Sequence, residues 1–316
     1  VVGFVRYAGF RIVAGAPVCT LDRLPEIVAE FESSARAAEE SVCYFGAEAR
    51  LDNALADSVS HSRALLGAQP AWNPLRWDSV IKRHSSLRAQ LNRARNKSVT
   101  IVEYTPEDAM ISADLKRVLS AWLKSRGLPP LHFLVEPSTL ERLIDRRIFV
   151  ARHGEAAATD PVIAFAVLSP IPARNGWLVE QFPRLPRAPN GTIELLLSSA
   201  VAEIARSGAD YVTLGLAPLA RRDSIPHWNE PRWLRAILRF AALHGNRFYN
   251  FKGLESFKSK FEPESWEPVY AIQNSPRFSM KALYAIAGAF ALKSPARVIA
   301  TALTRAAAQE MRWLRK

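Results

Sequence analysis

At 316 residues and 49% hydrophobic content, the chain exceeds one typical core and carries enough apolar material to fill two, so two domains are expected. A net charge of +12 and a pI near 10.0 point to a polyanionic partner, either nucleic acid or anionic lipid. Cys19 and Cys43 fit no metal-ligand spacing, and the six histidines form no H-E-x-x-H or H-x-x-x-H pair, which argues against a zinc enzyme or a disulfide framework and favours a reduced, metal-free protein facing the cytoplasm. No stretch approaches the ~20 apolar residues that span a bilayer, and Val1 opens directly into alternating residues, so no secretion leader is expected.

In chain order, Val2 to Tyr7 and Arg11 to Ala14 are β-prone runs either side of Ala8-Gly9 and predict a hairpin. Leu21, Leu24, Ile27, Val28 and Phe31 then recur at helical spacing, with Thr20 and Asp22 as candidate caps. Strands are expected at Val42 to Gly46 and Ala64 to Ala68. From Asp78 a helix is predicted through Lys97, with Ile81, Leu87 and Leu91 as its apolar stripe. Lys82, Arg83, Arg88, Arg93, Arg95 and Lys97 crowd this stretch with no acid between them, making a positive rod suited to phosphate contacts, or else a solvated face. Thr100 to Tyr104 reads as a strand that closes a first module at about residue 105. Residues 106–130, with a helix over Ile111 to Arg126 and the turn Gly127 to Pro130, read as a bridge.

The second module, 131–275, opens with three sequential strands, Ile148 to Arg152, Val162 to Ser169 and Gly176 to Phe182, separated by turn residues that favour an antiparallel meander. A helix marked by Ile193, Leu196, Leu197, Ala200, Val201 and Ile204 follows and ends near Gly208, and Tyr211 to Leu216 reads as another strand. Within Phe251 to Phe261 the residues Phe251, Leu254, Phe257 and Phe261 form a helical stripe that leaves Lys252, Lys258 and Lys260 off it. A tail, 276–316, carries eight basic residues against the single acid Glu310, +7 of the total +12; its alanine-rich helices suit either a bilayer interface or ordinary packing on the domain. Composition and pattern alone therefore give an α/β protein of two modules.

Three segments carry more. They are Leu66-Gly67-Ala68-Gln69-Pro70 with Trp72 and the run Lys82 to Lys97; Ala188 to Leu196 with Thr213 to Leu219; and Tyr249 to Phe261 with Trp266 to Tyr270. In this order and spacing the chain, over about Val1 to Ile272, resembles the C-terminal catalytic domain of bacterial phosphatidylglycerol lysyltransferases, also called multiple peptide resistance factors. The resemblance implies two tandem GNAT-type acyltransferase modules, each a mixed sheet flanked by helices. It also implies an aminoacyl-tRNA donor, a lipid hydroxyl acceptor such as phosphatidylglycerol, no cofactor, and a cytoplasmic place at the inner face of the membrane, with 276–316 as a candidate anchor. Moving an aminoacyl group from a tRNA ester to an alcohol is ester exchange, so no ATP, metal or acyl-enzyme is demanded and positioning dominates. Carried over residue by residue, Glu194 is expected to hold the ammonium of the amino acid, where the family commonly has Asp. Glu180 and Arg184 match a loosely kept acidic-to-basic segment as pocket residues, with a local ion pair between them as the alternative. Asn190 and Gly191 deliver Glu194; Lys258 is the candidate for phosphate binding or oxyanion stabilisation, with Lys252 and Lys260 nearby. His84 is available but is more simply a phosphate-facing or structural residue.

Two other readings remain open from sequence. One keeps the fold but uses an acyl thioester donor; against it, Pro189-Asn190-Gly191-Thr192 lacks the basic, glycine-rich pyrophosphate turn of ordinary GNAT acetyltransferases. The other is a non-catalytic module that binds tRNA or anionic membrane.

Overall fold

The computed structural model describes residues 1–125, 138–154, 161–221, 224–225, 230–244 and 251–291. Its elements run β1 (Phe4–Tyr7), β2 (Phe10–Ala14), α1 (Leu24–Ala37), β3 (Ser41–Ala47), α2 (Ala49–Ala54), β4 (Ser62–Trp72), α3 (Trp77–Arg83), α4 (Ser85–Arg95), β5 (Val99–Tyr104), α5 (Pro106–Ile111) and α6 (Ala113–Lys124). They continue β6 (Arg147–His153), β7 (Val162–Ile171), β8 (Gly176–Gln181), α7 (Thr192–Arg206), β9 (Tyr211–Thr213), β10 (Ala217–Pro218), α8 (Arg232–His244), α9 (Phe251–Ser259), β11 (Ser265–Gln273) and α10 (Met280–Ala291). The expected turns at Gly127 to Pro130 and Asp160, the start of the third segment at Tyr249-Asn250, and the tail beyond residue 291 lie outside the described residues.

The backbone divides into two compact units. One comprises Val1–Gln69, Leu216–Glu255 and Trp266–Lys316; the other comprises Pro70–Gly215 and Ser256–Ser265. This differs from the sequential division at 105 and 131. The reason is strand pairing: β5, expected to close a first module, pairs antiparallel with β6, while β11, late in the chain, pairs antiparallel with β3. Local periodicity shows where a strand is but not which strand it will pair with.

In the first unit the hairpin β1–β2 forms as expected, β2 runs parallel to β3, and β10 pairs antiparallel with β4. β3 is buried on both faces. Its Val42 and Tyr44 join a core with Leu24 and Val28 of α1, whereas Cys43 and Phe45 join a second core with Ala282, Ala285 and Ile286 of α10. The alternation follows from the two-residue period of a strand. Of the two roles offered for the start of the tail, α10 takes the packed one, against β1, β2 and β3. α2 and α8 had no counterpart in the sequence reading.

In the second unit β6, β7 and β8 form the predicted antiparallel meander, β5 adds antiparallel to β6, β8 runs parallel to β9, and β9 pairs antiparallel with the end of β4. One face of this sheet carries α6, through Leu115, Val118, Leu119 and Trp122; the other carries α7 and α4. The predicted basic helix is two helices, α3 and α4, broken at His84, whose backbone is extended (φ −98°, ψ 101°). Trp77 and Val80 of α3 and Leu87, Leu91 and Ala94 of α4 are buried, so each short helix turns its own apolar side to the core. Apolar spacing alone could not expose the break, because both halves keep helical periodicity.

α7 is buried nearly all round over its first half, from Thr192 to Leu197. Its N-cap is Gly191 with φ +91°, a left-handed conformation that glycine adopts without penalty. A Cβ at Gly191 would stand 2.0 Å from the Gln90 carbonyl oxygen and 3.4 Å from Ala94 Cβ, so the backbone of α4 lies directly on the turn that starts α7. Gly191→Ala should therefore lower stability by at least about 2 kcal/mol, from left-handed strain plus a backbone clash that no rotamer relieves. A urea midpoint unchanged from wild type would show that α4 does not bear on this turn.

Candidate functional site

The site is built at the start of α7. Glu194, in its first turn, is buried, with a relative exposure of 9%. The first turn of a helix, with its free N–H groups, is a common place for an acidic residue. Its partner is Lys260, whose Nζ donates to Glu194 Oε1. The same ammonium lies 4.4 Å from the centre of the Phe257 ring and 5.4 Å from that of Phe261, close enough for the ring faces to hold it.

What puts Lys260 there is an aromatic anchor. Phe261 is fully buried, stacks on Trp77 with ring centres 5.3 Å apart, and meets Phe257 edge-on at 5.4 Å. Trp72 meets Trp77 edge-on at 5.6 Å and donates from Nε1 to the Phe261 carbonyl oxygen at 2.8 Å. Trp77 Nε1 in turn donates to Ser198 Oγ of α7 at 3.3 Å. The chain that follows α9 is thus pinned beside α3 and α7, and Lys260 has little choice of direction.

Lys258 behaves differently from the sequence expectation. It does not lie off the apolar stripe: it is 2% exposed, in register with Phe261 three residues on, and its Nζ donates to the carbonyls of Leu214 at 2.8 Å and Gly215 at 2.7 Å. A lysine's long apolar stem makes such burial tolerable when the amine finds acceptors. Burial lowers its pKa to about 7. The turn it grips is tied a second time by Thr213, whose Oγ1 accepts from the Gly215 N–H at 3.0 Å and donates to the Pro70 carbonyl at 2.7 Å.

The remaining candidates are dispersed. Glu180 does not pair with Arg184; it pairs with Arg146 at 3.1 Å and accepts from Ser169 Oγ. Arg184 is exposed and makes no ion pair among the described residues. Asn190 is exposed at the turn before Gly191. Lys252 is exposed at the start of α9, in the other compact unit from Glu194. Lys82, Arg83, Arg88, Arg93, Arg95 and Lys97 are all exposed on or just after α3 and α4. Arg88 folds back to donate to the Lys82 carbonyl oxygen, and Arg83 reaches Glu262 at 3.7 Å. His84 Nε2 is 2.5 Å from Glu262 Oε1, and with Arg83 it holds the Glu262 carboxyl below its ordinary range. Glu262, Trp72 and Trp77 went unremarked in the sequence as site-building residues; the repeated tryptophans among polar neighbours were the available signal. Among the described residues no group of three or more His, Cys, Asp or Glu side chains could hold a metal, and no helix is long and apolar enough to cross a membrane.

An antiparallel meander, a helix starting at a buried acid, and a parallel strand beside the meander's last one define an acyltransferase-type α/β fold. Residues 2–273 match the family model described as "Phosphatidylglycerol lysyltransferase, C-terminal", and the chain belongs to that family. It is 30% identical over 199 residues to the phosphatidylglycerol lysyltransferase of Staphylococcus aureus, covering 61% of this chain and 22% of that one, so it spans about a fifth of the length of that curated relative. An uncharacterised protein of Corynebacterium glutamicum is 23% identical over 282 residues, 83% of this chain and 33% of that protein. Among solved structures, a C-terminal domain (DUF2156) from Agrobacterium fabrum superposes with a TM-score of 0.74 at 23% identity, covering 93% of this chain and 85% of that one. L-PGS from Bacillus licheniformis superposes with a TM-score of 0.67 at 22% identity, covering 89% and 82%. Both likenesses establish the fold.

The buried amine yields a pH prediction. The folded pKa of Lys258, about 7, lies below its ordinary 10.5, so between these values the unfolded chain holds a proton that the folded chain has released. Stability should therefore rise with pH across that window, by up to about 1.4 kcal/mol per pH unit from this group. Below it, both states are protonated and the folded state bears the whole cost of burying the charge. Relative to wild type, Lys258→Met should lose this rise; parallel stability curves for the two proteins from pH 6.5 to 9.5 would refute the assignment.

Proposed function

We propose that this chain transfers an aminoacyl group from aminoacyl-tRNA to a hydroxyl of phosphatidylglycerol. The observation that carries the reading is the Glu194–Lys260 pair at the buried start of α7, inside the two segments that resemble the family's catalytic domain. Glu194 offers a carboxylate to the α-amino group of the donor, and Lys260 stands beside it as a cation for the oxygen that becomes negative as the ester carbonyl is attacked. In the exchange the lipid hydroxyl oxygen bonds to the carbonyl carbon, the bond from that carbon to the tRNA ribose oxygen breaks, and the hydroxyl proton passes to the ribose oxygen. The step is balanced without a further reactant.

Lys258 acts in this scheme as a positioning residue. Its buried amine grips the Leu214 and Gly215 carbonyls, so the role of cation toward the ester passes to Lys260. The exposed cations of α3 and α4 supply contacts to tRNA phosphates that do not depend on base sequence and weaken with salt. What speaks against the thioester alternative is the turn Pro189-Asn190-Gly191-Thr192, which has neither the basic residue nor the repeated glycines of a pyrophosphate-binding turn.

The test is transfer of labelled amino acid from charged tRNA into lipid extracted from phosphatidylglycerol vesicles. Glu194→Gln should lower transfer at least about 100-fold, with the urea midpoint close to that of wild type, since a group that orients the donor is lost while volume is kept. Wild-type protein that moves label from no aminoacyl-tRNA would defeat the proposal. A Glu194→Gln variant of normal rate would remove Glu194 from it.

A further inference from the structure

Lys260 occupies one side of the buried acid Glu194. We infer that Lys260 is a built-in counter-ion of Glu194 and that the site therefore selects aminoacyl groups with uncharged side chains over lysyl or arginyl groups. The inference rests on the aminoacyl-transfer reading above and deepens it to the class of amino acid.

Charge accounting around the pair leads there. Glu194 is the buried acid of the site, and one of its oxygens, Oε1, already accepts from Lys260. A carboxylate has room for further donors, so Oε2 can still take the α-amino group of a donor ester. A lysyl group brings a second ammonium, and among the described residues the acids that closely follow Lys260 in sequence and the pocket candidate Glu180 are each already paired with a cation. Glu262 is held by His84 and Arg83, Glu264 by Arg76 at 3.4 Å, and Glu180 by Arg146 at 3.1 Å. The amine of Lys258, two residues before Lys260, brings no negative charge that could offset it.

Nor can Lys260 easily withdraw. It is half-buried, its ammonium is held against the Phe257 and Phe261 rings, and Phe261 is fixed by Trp72 and Trp77. A second ammonium would enter either beside this cation or in its place, and both cost affinity: the first through like-charge repulsion, the second by displacing an amine from its aromatic seat. A small uncharged side chain incurs neither cost.

The experiment compares single-turnover transfer from alanyl-tRNA and lysyl-tRNA to phosphatidylglycerol vesicles, using the full chain as wild type, Lys260→Met and Lys260→Gln. Wild type should favour the alanyl donor by roughly tenfold or more; both variants should slow transfer from either donor, since Lys260 also faces the ester, and should narrow the ratio because alanyl transfer falls further than lysyl transfer. Equal or faster use of the lysyl donor by wild type would overturn the inference while leaving aminoacyl transfer standing. An alanyl preference unchanged in a folded Lys260→Gln variant would overturn the assignment to Lys260. Absence of lipid product from either donor with wild type would instead strike the aminoacyl-transfer reading, and this inference with it. Because the wild-type ratio is decisive alone, a variant that fails to fold does not shelter the idea.

Discussion

The burial of Phe261 is the constraint on which the candidate site depends. One ring, stacked on Trp77 and hydrogen-bonded through its carbonyl to Trp72, fastens the chain after α9 beside α7. Large aromatic side chains suit this task because each buries much apolar area with few rotatable bonds, so the contact is strong and its direction is defined. Remove that anchor and two lysines lose their places. Lys258 would no longer reach the Leu214 and Gly215 carbonyls, and Lys260 would no longer be aimed at Glu194. The chemistry of the site is polar, but what sets its geometry is apolar.

The two lysines, only two positions apart, illustrate how environment divides identical side chains between roles. Lys258 points inward and meets backbone carbonyls, and burial brings its pKa down to about 7. Lys260 remains partly solvated, with a carboxylate on one side and ring faces on the other. A buried amine with carbonyl acceptors is a structural tie whose strength varies with pH. A half-exposed ammonium beside a carboxylate is a cation that a substrate can meet, and the proposed function and the proposed amino-acid preference both follow from this difference.

Much of the fold was legible in the sequence, and for identifiable reasons. The meander β6–β7–β8 showed itself because each strand is a short apolar run bounded by turn residues, and α7 because its apolar residues repeat at helical spacing up to Gly208. The split of the basic helix at His84 stayed hidden, since α3 and α4 each satisfy the same periodicity. The compact units also differ from a sequential division of the chain. β5 belongs with β6, and β11 with β3, through pairings between strands that are distant or separated by other elements in the chain. Of the site, the resemblance singled out Glu194 and the helical stripe of 251–261 pointed to Lys258 and Lys260, but neither could say which lysine meets the acid, and the alternative of an ion pair between Glu180 and Arg184 gives way to the pair of Glu180 with Arg146.

The sequence by itself determined the family, the α/β class, the positions of most strands and helices, and the surplus of positive charge, because these are properties of composition, local period and ordered motifs. Only the tertiary structure decided that Lys258 is buried while Lys260 faces Glu194, that α4 lies on the glycine turn starting α7, and that α10 packs as an ordinary helix on its sheet. Those outcomes depend on which side chains from remote parts of the chain share a face or a core. Burial, hydrogen-bond partners and pKa are consequences of that sharing, and no local stretch of sequence contains them.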